Sequence, residues 1–93
     1  MKSYKERCRE DEARSAKAVA EGCTVETIHY IWMLHRVNAH DWLKREGHTV
    51  TTGDRSGGVV LGTSAAPATR CVEVRWPDGS TSDHNPKNLR VEA

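Results

Sequence analysis

The sequence has no phenylalanine, only 3 cysteines, no long apolar run and almost no excess of either charge. Without phenylalanine the large apolar anchors fall to Trp32, Trp42, Trp76, Tyr30 and the Ile, Leu and Val positions. A chain of 93 residues is one domain, or two very small units sharing one core. Chains of this size bury only roughly 60–65% of their unfolded surface, so the core is thin. A thin core with tryptophan anchors is expected to leave part of a ring exposed, which makes those rings candidate contacts. The cysteines, Cys8, Cys23 and Cys71, are odd in number and nowhere spaced as CxxC. That excludes a complete disulfide framework and the usual zinc half-site, and free thiols in a reducing cytoplasm are the expectation. The longest apolar run, residues 30–34, is far too short to cross a bilayer as a helix, so no membrane partner is expected. The opening residues lead into charge and not into an apolar stretch, so no secretory leader is expected. Fourteen basic residues against 13 acidic give a net charge of +1. A dedicated duplex-DNA binder usually carries a basic excess; here only a local patch is left open.

What is present divides into two textures. Residues 3–21 predict a mostly polar helix, with Ser3 as its cap, Glu6 completing a capping box and Glu10–Arg14 an i,i+4 pair. Its apolar stripe is meagre: Tyr4, Cys8, Ala16 and Val19/Ala20. Gly22 ends it and Thr24 caps a second helix, in which Val25, Ile28, Ile31/Trp32 and His35 follow helical spacing. Asn38 and Asp41 suggest a third helix over about 39–46, carrying Trp42 and Leu43 and stopped by Gly47. One long helix over 25–46 is the alternative, because residues 36–38 contain neither Pro nor Gly.

From His48 onward Thr, Val and Gly dominate, and short alternating runs predict strands at about 48–52, 57–62, 70–76, 80–83 and 89–92. Val72, Val74 and Trp76 share one face of the third strand, with Cys71, Glu73 and Arg75 on the other. Residues 63–68 read as a flexible loop, Trp76-Pro77-Asp78-Gly79 as a type I turn, and Asn85-Pro86-Lys87-Asn88 as a single 3₁₀ turn before the last strand. The fold class expected is therefore α+β: two or three helices over 1–47, then a small five-stranded antiparallel β-barrel over 48–93, with the packing of the helices on the barrel, and so a core common to both halves, left open.

Two resemblances follow from these residues. The run Gly57-Gly58-Val59-Val60, then Val72-Glu73-Val74-Arg75-Trp76-Pro77-Asp78-Gly79, then Pro86-Lys87-Asn88-Leu89-Arg90-Val91 resembles an SH3-like small β-barrel of the Tudor/KOW kind. That resemblance implies a closed barrel. Tudor members hold methylated lysine or arginine in a cage of several rings, whereas this half of the chain has the single ring of Trp76. KOW-like members bind RNA or ribosomal and polymerase partners. Arg55, Arg70, Arg75, Lys87 and Arg90 would serve a phosphate backbone, opposed by Asp54, Glu73, Asp78, Asp83 and Glu92. The segment from Ala18 to Ile28 is similar to a helix–turn–helix, with Ala18 at the helix crossing, Gly22 in the turn and Thr24 capping the recognition helix. Lys17 and Glu21 depart from it, standing where that motif is usually apolar.

Catalytic and cofactor chemistry finds little support. The five histidines (29, 35, 40, 48 and 84) lack a cysteine half-site, and no cofactor or metal is expected. Ser82-Asp83-His84-Asn85 with Asn88 echoes the core of HNH nucleases, but that motif needs a following helix for its metal, and only three residues follow Arg90. No phosphate loop and no nucleophile signature occur. The expectation is a non-catalytic binding module, in vocabulary fitting a small bacterial or bacteriophage accessory protein, with a protein partner that for a phage protein would be a host protein. Tyr30, Trp32, Met33 and Trp42 are the candidate protein contacts. The alternative is nucleic-acid binding through Thr27, His29, Arg36, Lys44, Arg45, Arg75, Lys87 and Arg90.

Overall fold

The fold is taken from a computed structural model, which describes residues 1–63 and 71–92. Arg70 and most of the loop expected at 63–68 lie outside the described residues.

Helix α1 spans Tyr4–Ala20, with the Ser3 hydroxyl accepting from the Glu6 amide as the cap expects. Gly22, at φ 74°, makes the left-handed turn that only glycine adopts without cost. Thr24 then caps α2, Val25–Trp32, by accepting from the Thr27 amide. A 3₁₀ turn, Met33–His35, follows, and Arg36 enters the left-handed region at φ 55°. Helix α3 begins afresh at Ala39 and ends at Arg45. The single long helix is thus ruled out. The break sits at a non-glycine residue in a costly backbone region, which is why no glycine or proline marks it in the sequence.

The second half is an antiparallel sheet: β1 Val50–Thr52, β2 Arg55–Thr63, β3 Val72–Arg75, β4 Thr81–His84 and β5 Arg90–Val91, in the order β4-β3-β2-β1-β5. Strand β2 is the spine. Its first residues pair with β1 and its last with β3. The hairpin after β3 closes as expected: the Gly79 amide donates to the Trp76 carbonyl at 2.9 Å, with Gly79 at φ 89°. A 3₁₀ turn, Pro86–Asn88, precedes β5. The expected closure into a barrel is not met. Strands β4 and β5 end the order without pairing, so among the described residues the sheet is open. Each strand holds only two to nine residues, and β5 spends its outer edge on the helices instead.

That stitching joins the two halves. The Val25 amide donates to the Leu89 carbonyl at 2.9 Å and the Val91 amide to the Cys23 carbonyl at 2.8 Å, so the α1–α2 turn meets β5 in a single antiparallel bridge between Thr24 and Arg90. The Arg90 guanidinium adds a bond to the Gly22 carbonyl. Side chains follow the same logic. Val19, Val25, Ile28, Trp32, Trp42 and Leu43 from the helices form one cluster with Val50, Val60, Val74, Trp76, Leu89 and Val91 from the sheet. Gly58 lies flat beneath Trp76. A Cβ there would stand 2.6 Å from Val74 and 2.8 Å from the indole, so the ring needs a residue with no side chain at this point.

Candidate functional site

Of the five large apolar residues exposed among the described residues, Met1 and Tyr4 lie near the start of the chain and the other three on one short stretch. Val25, Ile28 and Trp32 turn inward from α2. The opposite face and the 3₁₀ turn leave Tyr30 60%, Met33 53% and Leu34 85% exposed. Tyr30 stands in the last turn of α2, and Met33 and Leu34 in the 3₁₀ turn that continues it. Tyr30 and Met33 also border a cleft of about 600 Å³. Val25, Ala39, Val72 and Pro86 give it apolar walls, while Glu26, His29, His40 and Lys87 supply ionisable groups. The cleft exists because α2, the start of α3, the facing ends of β2 and β3, and the second 3₁₀ turn converge there.

The expected protein contacts divide. Tyr30 and Met33 are exposed as the expectation required. Trp32 and Trp42 are not: they are only 3% and 4% exposed. Their rings pack against each other with centroids 6.4 Å apart, and Trp42 stacks on His48 at 5.4 Å. The thin-core argument placed them at the surface; the shared core of helices and sheet provides enough depth to cover both. Leu34, the most exposed of the three patch residues, was not among the candidates, although it belongs to the same apolar run, residues 30–34, as Tyr30 and Met33.

The nucleic-acid candidates are not gathered into one surface. His29 and Lys87 line the cleft. Arg36, Lys44 and Arg75 are exposed but do not line it. Arg45 is paired with Glu12 and Glu46, and Arg90 is tied to the Gly22 carbonyl. The Thr27 side chain lies 3.1 Å from the Thr24 hydroxyl. The turn and capping of a helix–turn–helix are present. However, the start of α2 is hydrogen-bonded to β5, and Val25 is only 2% exposed. A recognition helix uses that end to reach base edges, and here the sheet lies against it.

The contacts around Trp76 lie outside the cleft. The Trp76 indole N–H donates to the Ser82 hydroxyl at 2.8 Å, and Ser82 Oγ lies 2.6 Å from His84 Nε2. An indole can only donate, so Ser82 Oγ accepts from it, and the contact to His84 Nε2 extends the chain along β4. The Arg55 guanidinium sits 4.6 Å from the Trp76 ring centroid and closes the other side. The Ser80 hydroxyl and amide donate to Asp78, which holds its carboxyl below the usual range. Among the described residues no group of three or more His, Cys, Asp or Glu is placed to hold a metal ion, and no helix is long and apolar enough to cross a membrane.

Burial raises the Cys23 thiol above its ordinary value. Burial disfavours the thiolate in the folded chain, so the fold carries no penalty below the range where an unfolded thiol ionises and loses stability as pH climbs from there through the raised folded value. Cys23 is therefore expected to react with iodoacetamide more slowly in the folded chain than in the urea-unfolded chain at mildly alkaline pH, as read by peptide mass spectrometry. Equal rates would show that the thiol is not shielded.

No family model, no curated protein and no solved structure matches the chain, so the reading of the site rests on its geometry.

Proposed function

We propose that the chain is a non-catalytic binding module that docks a protein partner on the Tyr30–Met33–Leu34 patch and the adjoining cleft. The observation that carries this is the run of three large exposed apolar side chains at the end of α2 and in its 3₁₀ turn, two of which border a cleft with apolar walls. Isolated exposed apolar residues are ordinary; a contiguous group bordered by polar residues is the usual mark of an interaction surface. A ring with a polar tip and a flexible thioether also suit such a surface, since each fills a partner's pocket at modest desolvation cost. The nucleic-acid alternative has less support, because its candidate cations are scattered or already paired and the start of α2 is covered. An accessory or regulatory role in a bacterium or bacteriophage remains part of this proposal.

The test compares capture by the intact chain with capture by Leu34→Asp and Tyr30→Ser, both exposed and outside the core. A partner docked on the patch is expected to be retained from nuclease-treated lysate by the intact chain. It should bind the variants weaker by on the order of tenfold or more, the usual effect of removing an interface anchor. Capture that is indifferent to both substitutions would end this reading. So would binding only to nucleic acid that weakens steeply with salt.

A further inference from the structure

The cleft beside α2 carries two charges that the fold does not pair. Glu26, half-buried in the first turn of α2, and Lys87, exposed on the second 3₁₀ turn, both line it. Neither makes an ion pair among the described residues, with the other or with any third group. The remaining ionisable side chains of the cleft named above are His29 and His40, and His40 already faces Asp41 at 3.3 Å. Beside these charges lie the apolar walls of the hollow and the exposed side chains of Tyr30 and Met33. One free acid, one free base, a hollow and projecting apolar groups on the same face make that face complementary to itself. A strongly acidic or strongly basic partner would meet a like charge there as well as an opposite one. The whole chain has a net charge of only +1, so two copies approach without long-range repulsion.

We propose that the occupant of this face is a second copy of the chain, related to the first by a two-fold axis. Tyr30, Met33 and the adjoining Leu34 of each copy lie against the cleft of the other, and Glu26 of each meets Lys87 of the other. In a two-fold contact every interaction occurs twice with the roles exchanged, so the surface must offer both halves of each pair. The apolar groups supply most of the affinity. Ion pairs at an exposed rim add little to it, but they set the register, because arrangements that bring like charges together are rejected. Three exposed apolar side chains and one cleft make a small interface, so the association depends on concentration and is not permanent. This inference rests on the docking reading, and a foreign partner would compete with the second copy for the same face.

The test is sedimentation velocity on the full chain, from micromolar to near-millimolar concentration. A reversible monomer–dimer equilibrium is the expected result. Leu34→Asp and Tyr30→Ser should weaken it by on the order of tenfold or more, the effect of removing an interface anchor. Glu26→Lys and Lys87→Glu lie outside the core cluster, so both should keep the circular dichroism and the melt of the intact chain. Each alone should lose self-association, because like charges then face each other. Mixed in equal amounts, the two should associate again, since each supplies the charge that the other lacks. A chain that is merely destabilised would show no such rescue. A chain that stays monomeric over the whole range, a dimer indifferent to these substitutions, or a mixture that stays apart would each overturn the proposal. Failure of the docking reading looks different. If Leu34→Asp abolishes capture from lysate while the intact chain sediments only as a monomer, docking on the patch stands and the second copy is ruled out.

Discussion

Replacing Trp76 with alanine is expected to leave little of the chain folded. The ring is 3% exposed, lies over Gly58 and joins the cluster that spans both halves. Truncating a buried tryptophan costs about 3–5 kcal/mol. A domain of this length has a net stability of roughly 5–10 kcal/mol, so most of it would go. The substitution also removes the donor to Ser82 and the ring beneath the Arg55 guanidinium. Thermal melting followed by circular dichroism checks this: loss of the cooperative transition, or a melting temperature lower by tens of degrees, is the expected result. Trp76→Phe should fall between, keeping most of the packing but leaving Ser82 without its donor. An unchanged melt for Trp76→Ala would place the indole outside the core.

Trp32→Ala should be nearly as damaging, again at about 3–5 kcal/mol, and it decides a specific question. Its ring lies between Trp42 and His35 and is 3% exposed. A core residue loses stability when truncated. An interface residue loses binding and leaves the melt intact. Chemical denaturation is expected to show the midpoint shifted well down for Trp32→Ala and little changed for Leu34→Asp. The reverse order would return Trp32 to the interaction surface and remove Leu34 from it.

These two residues show where the sequence was informative and where it was not. The alternation at Val72, Val74 and Trp76, and the turn chemistry at Pro77 and Gly79, are local signals, and the strand and hairpin follow them. The caps at Ser3 and Thr24 and the left-handed turn at Gly22 are equally local. Burial of Trp32 and Trp42 is not. It depends on how deeply three helices pack against a sheet formed elsewhere in the chain. The break at Arg36 has no residue signature, because tertiary packing imposes a backbone conformation that the residue itself disfavours. Asp11 and Ser15 escaped the apolar stripe read along α1 because a polar side chain gives no hydrophobic periodicity even when buried. Barrel closure failed as an inference for a related reason. Strand patterns do not reveal which edge will pair, and here the turn at residues 22–25 took the edge of β5. On the patch, Tyr30 and Met33 were candidates by type, and Leu34, in the same run, was not.

The central claim is that helices and sheet are built around one interior, stitched by the turn at Cys23–Val25 against β5. The direct measurement is native-state hydrogen exchange across a urea series at the amides of Ile28 and Leu43 in the helices and of Val60 and Val74 in the sheet. One cooperative opening, with the four sites converging on the same free energy and the same urea dependence, is the predicted result. Sheet amides that stay protected after the helical pair has exchanged fully would mean two separable units and would contradict it.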